Sequence, residues 1–376
     1  MYLDNASTTP LTPQVKNYII SLLDTYQNPS SMYQSGVNAK QIIATARNNV
    51  AKFIKANPED IIFTSSGSAS NNLAIQGFIG NAMSYFMMYS PIAHKSMIKC
   101  VENVENCIHP HQCQSIPVDK HGFFDLKEFE NKLKSHCNTD RLLVALDYAN
   151  SEIGTIQKIK EVIEITHKYN GIVYLDCTGS ISQISIDVKA LDVDMAGFSA
   201  HKLSALKGVG VLYKKKYIEL EPLIYGSQEQ GLFGGTENVL GIAALGKAVE
   251  NYDYSSVTSN NRDYIYNYIK NNIPDSYLVG ADLKHRLPHN LYICFKGIQG
   301  ESLMILLDMN GYQVSTGSAC TSGDLTPSST LLAIKMNKEN INSCIRITLN
   351  GNEEIKELNK FCTTLKKCVE TLRGIK

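Results

Sequence analysis

Met195-Ala196-Gly197-Phe198-Ser199-Ala200-His201-Lys202 runs from an apolar segment of strand length straight into a serine, a histidine and a lysine. Small residues follow in Lys207-Gly208-Val209-Gly210, and another apolar run covers Val209–Tyr213. Ile61–Thr64, Leu142–Asp147 and Ile172–Asp176 have the same character, so these segments and Met195–Ser199 read as short, mostly buried strands. Helical patterns lie between them. Val37–Ile54 sets Ile42, Ala46, Val50 and Phe53 on one face, and Glu161–Tyr169 follows the same spacing. Strands alternating with helices need right-handed crossovers, which give a largely parallel sheet with helices on both faces. The chain end differs: Asn261–Asn272 and Glu353–Leu372 read as helices, Leu291–Phe295 and Ile345–Leu349 as alternating strands. The expected fold is α/β, a large domain over 13–255 followed by a smaller α+β domain over 256–376.

A lysine at a strand end is ordinarily a cap. Beside a serine and a histidine able to donate to a phosphate, Lys202 also reads as a Schiff-base lysine. Val173-Tyr174-Leu175-Asp176 puts an acid at the carboxyl end of a strand, where open α/β sheets bind ligands, although helix N-caps look the same. Paired with Lys202, the acid has a purpose. A carboxylate against a pyridine nitrogen keeps it protonated, so that the ring accepts electrons. Phe63–Asn72 reads as strand, small-residue turn and helix start, and N–H groups at a helix N-terminus make a ready anion site, although a serine-rich N-cap is common without any ligand. A lysine for an aldehyde, an acid for a ring nitrogen and an N–H nest for a phosphate are the three handles of pyridoxal 5'-phosphate (PLP).

Lys+Arg and Asp+Glu balance at 36 each, which argues against nucleic acid or an anionic membrane as the main partner. The N-terminus lacks the basic and apolar regions of a signal peptide. The greasy stretch Gly77–Met88 is too short to span a bilayer. A cytoplasmic location is expected, and the ten cysteines, scattered without a pairing pattern, suit a reducing compartment. Cys100, Cys137, Cys294, Cys344 and Cys362 read as plain buried or half-buried thiols. Cys107, His109, His111 and Cys113 are conceivable as metal ligands, but Pro110 divides the histidines and no second ligand pair is evident, so a polar loop is the better reading and no metal is expected.

The motifs in order carry a resemblance. Tyr2-Leu3-Asp4-Asn5-Ala6-Ser7-Thr8-Thr9-Pro10, Asn28-Pro29-Ser30-Ser31 with Gly36, Glu152-Ile153-Gly154-Thr155-Ile156-Gln157 and Ser199-Ala200-His201-Lys202-Leu203 form the first part of the set. Leu287-Pro288, Gly300-Glu301-Ser302-Leu303 and Ser318-Ala319-Cys320-Thr321-Ser322 complete it. Nearly end to end, the chain resembles the bacterial cysteine desulfurases, fold-type-I PLP enzymes of the class-V aminotransferase kind. The resemblance implies a mostly parallel seven-stranded sheet between helices, residues 1–12 joined to the small domain, and a homodimer. It implies Lys202 on the cofactor aldehyde, Asp176 on the ring nitrogen, and Gly67, Ser68, Ser199 and His201 on the phosphate. Thr236 would reach the phosphate of the other subunit, and His94 would stack on the ring and move protons. Asn150 and Ser151 would lie at the substrate, Ser151 also at the cofactor, and Arg346 would hold the substrate carboxylate, a task suited to a planar bidentate donor. By themselves, His94 also reads as a loop histidine and Arg346 as a strand arginine.

Val314–Asp324 is small, polar and glycine-containing, so the stretch around 315–328 reads as a mobile surface loop. An exposed cysteine there is prone to oxidation, which favours a working thiol over a structural one. Cys320 is expected to take sulfur from L-cysteine, leaving alanine, and to carry it to an acceptor protein. Iron–sulfur cluster assembly, tRNA thiolation and DNA sulfur modification all use such enzymes. The loop resembles the longer type of desulfurases that pass sulfur directly to partners. The chain departs from the family at the cofactor, where Gly179 replaces a glutamine, Ser151 an asparagine and Ser68-Ala69 a Thr-Glu pair; in other motifs Phe233 replaces an arginine and Tyr33 a histidine. An aminotransferase or selenocysteine lyase, and a weakly active sulfur-relay or scaffold protein, are the alternative readings.

Overall fold

A computed structural model describes residues 1–80, 82–107, 112–136, 138–316 and 328–374. Thr12 caps α1 (Pro13–Ser21) with its hydroxyl on the Val15 N–H, and Pro13 opens the helix where no N–H is needed. α2 (Gln34–Phe53) buries Gly36, Ala39, Ile43, Ala46, Val50 and Ala51. The stripe is therefore centred one position from the expected Ile42, and Phe53 sits at its edge, stacked on Tyr254. Helices α3 (Gly67–Ile79), α4 (Lys95–Cys107), α5 (Leu126–His136), α6 (Ile159–Lys168), α7 (Val188–Leu191) and α8 (Val239–Val249) alternate with strands. α2 and α8 touch backbone to backbone: a Cβ on Gly246 would stand 2.5 Å from that of Ala46.

The large sheet contains β1 (Ile61–Thr64), β2 (Tyr85–Tyr89), β3 (Cys113–Ser115), β4 (Arg141–Asp147), β5 (Ile172–Asp176), β6 (Met195–Ser199) and β7 (Gly210–Lys214) in the order β1-β7-β6-β5-β4-β2-β3. β3, β2, β4, β5 and β6 are parallel, and β7 runs antiparallel to β6 and β1. The mostly parallel, seven-stranded expectation holds. The greasy Gly77–Met88 stretch divides: its first residues end α3, and Tyr85 begins β2. Alternate residues of β4 and β5 face two cores. Leu142, Val144, Val173 and Leu175 pack on one side, Leu143, Ala145 and Tyr174 on the other. Complete burial of one such aliphatic side chain contributes about 1.5–3 kcal/mol.

The remaining elements are α9 (Asn260–Asn272), β8 (Ser276–Leu278), β9 (Asn290–Phe295), α10 (Gly300–Met309), α11 (Ser329–Ala333), α12 (Lys338–Ile341), β10 (Cys344–Thr348) and α13 (Ile355–Gly374). Their antiparallel sheet runs β10-β9-β8. Leu3 joins its core with Ile265, Leu303 and Phe361, because Tyr2 and Asp4 bridge to Gln313 and Thr348.

Candidate active site

Asp176 ends β5, and both its oxygens are held. Thr178 N–H donates to Oδ1 at 2.8 Å and Asn71 Nδ2 to Oδ2 at 3.0 Å. The second N–H of the Asn71 amide goes to Ser96 Oγ at 2.9 Å, and Tyr174 OH donates to Asn71 Oδ1. Ser96 Oγ lies 2.7 Å from His94 Nδ1, and Ser96 N–H donates to the same nitrogen at 3.2 Å. Nδ1 is thus the acceptor, which puts the ring proton on Nε2. His94 is exposed, yet the protein around it lowers its pKa by desolvation; Asp176 opposes this and Lys202 adds to it. Sequence reading missed Asn71 and Ser96. Asn71 lies inside the Phe63–Asn72 stretch and Ser96 two residues after His94, but only packing of α3 and α4 against the strand ends turns them inward.

Gly67 opens α3, in the turn whose N–H groups have no helical partners. Ser66 caps the helix through Ala69 N–H at 3.1 Å. A Cβ on Gly67 would meet Thr178 Oγ1 at 3.0 Å and Ser199 Cβ at 3.3 Å, so Gly67, Thr178 and Ser199 close around one small cradle at the start of α3. His201 Nδ1 lies 3.1 Å from Thr8 Oγ1, and burial pushes the ring down to about 4, helped by Lys202 and Lys207. Thr236 lines a cavity with Ser65, Gly208, Val209 and Phe233. The stretch leading to it is fixed by Glu229, which pairs with Arg47 at 2.6 Å and accepts Phe63 N–H at 2.8 Å.

Lys202 and Arg346 meet on the N-terminal segment. Lys202 Nζ donates to the carbonyls of Ala6 and Ser7. Arg346 Nη2 donates to Asp4 Oδ1 at 2.8 Å and Ser7 Oγ at 2.9 Å, and Nη1 to Ser151 O at 3.3 Å. Burial lowers the Lys202 pKa to about 8, with Arg346 adding and Asp4 and Asp176 opposing. Arg346 is buried, and its Nε has no partner among the described residues. A buried donor left bare is costly, so this one points to an anionic ligand. The opening motif of the sequence therefore holds both cations; Asp4 and Ser7 were not singled out in it.

Asn150 turns its side chain into the fold. Its amide donates to Ile92 O and accepts from the N–H groups of Glu152 and Ile153 at 2.9 and 2.7 Å. It shapes the turn, and Ser151 is the less buried of the two. The altered positions Gly179 and Ser151 lie against each other, since a Cβ at 179 would be 3.2 Å from Ser151 Cβ. Glu152 is buried and accepts from Tyr292 OH at 2.9 Å and Ser328 Oγ at 2.8 Å. Thr316 O, 3.0 Å from the Tyr292 hydroxyl, is the alternative acceptor for its one proton. Cys320 and most of the expected loop, 317–327, lie outside the described residues, as do Cys137, His109 and His111. Among the described residues no cluster of three potential metal ligands occurs, and no helix is long and apolar enough to cross a membrane.

Residues 1–361 match the class-V aminotransferase family. The chain is 36% identical to a cysteine desulfurase IscS of Dictyoglomus turgidum, over 100% of this chain and 96% of that one. It is 35% identical to cysteine desulfurase IscS 1 of Archaeoglobus fulgidus, over 100% and 98%. A NifS-like protein superposes with a TM-score of 0.90 at 28% identity, covering 99% of this chain and 100% of the other. A structure of SspA in complex with cysteine gives 0.80 at 26% identity, covering 94% and 99%.

Proposed function

We propose, because this chain belongs to the class-V aminotransferase family and within it to the cysteine desulfurases, that it takes sulfur from free L-cysteine onto Cys320 and releases L-alanine. PLP is the cofactor of this family, and the residues present fit it: the cradle at Gly67, the acid at the strand end and a lysine of lowered pKa suit its phosphate, ring nitrogen and aldehyde. When bound, PLP draws electrons from the substrate α-carbon. Asp176, fixed by Asn71 and Thr178 N–H, keeps a proton on the ring nitrogen. The N–H groups of Gly67 and Ser68 hold the phosphate with Ser199 and His201. Arg346 takes the substrate carboxylate, with its bare Nε as the donor that is waiting. Lys202 and His94 Nε2 move the α-proton. The Cys320 thiolate then attacks the substrate sulfur; the C–S bond breaks as the S–S bond forms, and the carbon takes a proton. L-Cysteine and the thiol thereby become L-alanine and a Cys320 persulfide, with atoms and electrons balanced.

The homodimer reading gives Thr236, which lines a cavity with Ser65 and Gly208, the task of serving the partner's phosphate. Transfer of the persulfide to an acceptor protein, in the cytoplasm, completes the proposal. The gathering of Lys202 and Arg346 on the N-terminal segment carries the reading. The test is alanine formation by the PLP-loaded protein given L-cysteine and a thiol reductant. The parent should form alanine, while Lys202→Ala and Cys320→Ser should form none. Sulfide release by Cys320→Ser at the parent rate would sink the nucleophile assignment.

A further inference from the structure

Two acids stand side by side at the carboxyl end of the large sheet. Asp147 and Asp176 are register partners, each the last residue of its strand. In-register neighbours on parallel strands direct their side chains to the same face, about 4.8 Å apart. Asp147 continues the row of Leu143 and Ala145, and Asp176 that of Tyr174, so both point to the face on which α3 packs. The surroundings of the two acids differ. Asp176 accepts from Asn71 and Thr178 N–H, whereas both oxygens of Asp147 are buried without a hydrogen bond.

A bare buried carboxylate is expensive, and next to a second carboxylate more so; a neutral acid avoids both costs. The neighbours of Asp147 favour that state. The Ser90 hydroxyl, beyond the end of β2, makes no bond of good geometry either. Asp176 on β5 is the charged group that acts on Asp147, and behind it stand His94 and Lys202. Burial pushes the Asp147 carboxyl up to about 6; the nearby Ser90 hydroxyl and Asp147 N–H, too poorly aligned to make full hydrogen bonds, ease this only in part, and the charge of Asp176 adds to it.

We propose that Asp147 is a positioning residue of the cofactor site, a neutral acid beside Asp176, so that the pair presents one negative charge to the ring nitrogen until Asp147 ionises and adds a second. The proposal rests on Asp176 being the ring-nitrogen partner, and it adds a residue that no motif of the sequence singled out. The effect on the cofactor is electrostatic, since a second negative charge one strand spacing from Asp176 favours the protonated form of a nearby group.

Infrared difference spectra of the apoprotein, taken either side of about pH 6, test the neutral acid. The parent should show a protonated-carboxyl band that vanishes as pH rises, and Asp147→Asn, which fixes the neutral shape, should lack it. A parent without such a band, or a variant that keeps it unchanged, overturns the proposal; the parent measurement stands whether or not the variant folds. The buried Glu152 is the other acid of raised pKa here, and the difference between parent and variant separates the two. In the PLP-loaded protein, the pH midpoint of the cofactor's visible band should fall in Asp147→Asn. An unmoved midpoint would overturn the link between the pair and the cofactor. The alanine assay judges the desulfurase reading independently.

Discussion

Asn71 Nδ2 donates to Asp176 Oδ2 at 3.0 Å, and the same amide nitrogen reaches Ser96 Oγ, which contacts His94. One neutral side chain thus orients the candidate ring-nitrogen acid and, through Ser96, the candidate proton-moving imidazole. A hydrogen bond to a charged group contributes about 1.5–3 kcal/mol, so Asn71→Ala should lower kcat roughly tenfold or more. The cofactor's visible band should shift in the same variant. An unchanged kcat and spectrum would show that Asp176 needs no such support.

Arg346→Lys tests the substrate carboxylate. Lysine keeps the charge but loses the planar fork, and Nε is the donor that stands bare. The expected loss is about 2–3 kcal/mol in kcat/KM, carried mainly by KM for L-cysteine. Steady-state kinetics check this; a fall in kcat with KM unchanged would place the guanidinium's role elsewhere.

Lys202 is poised near neutrality. Burial lowers it to about 8, so the apoprotein's amine is mostly protonated below that pH and mostly neutral above it. Only the neutral amine attacks an aldehyde. Recombination of apoprotein with PLP, followed by absorbance, should therefore quicken as pH rises and level off above about 8. Removing the Arg346 charge, as in Arg346→Gln, should move that midpoint upward. A pH-independent rate in the parent would contradict the assignment.

Asp194 should matter for stability alone. Its side chain is completely buried and accepts from His167 Nε2 at 2.8 Å, Val173 N–H at 2.9 Å, Lys215 Nζ at 2.9 Å and Tyr217 OH at 2.8 Å. Burial alone would raise its pKa, but these donors hold it below the usual carboxylate range. A depressed carboxyl stabilises the fold above its unfolded pKa, and that contribution fades as pH falls through the folded value. Asp194→Ala should cost roughly 3 kcal/mol near neutral pH and progressively less in acid, measured by denaturant unfolding. The folded fraction should keep the parent kcat.

Much of this was legible in the chain. Ile172–Asp176 and Met195–Ser199 are strands at the expected residues, because short apolar runs ending in polar site residues have few other places in a parallel sheet. β7 begins one residue later than expected, at Gly210. β2 was hidden inside the longer greasy run that α3 shares, with only Gly80 and the residues after it to mark the break. β3 is a half-buried edge strand of Cys113-Gln114-Ser115, too short for alternation to register. At the site, Lys202 and Asp176 were visible because chemistry restricts their kind. Asn71, Ser96, Asp4 and Ser7 were not, since their side-chain directions depend on elements far away in sequence. Asp147 was hidden for a further reason: only strand pairing reveals that it stands beside Asp176.

The central claim is that the sulfur of free cysteine passes to Cys320, and peptide mass spectrometry tests it most directly. The PLP-loaded protein is mixed with L-cysteine without reductant, alkylated and digested. One added sulfur atom on the Cys320 peptide, appearing in step with alanine and removed by reductant, is the predicted result. Alanine formed while Cys320 stays unmodified, or the extra sulfur found on another cysteine, would contradict the account.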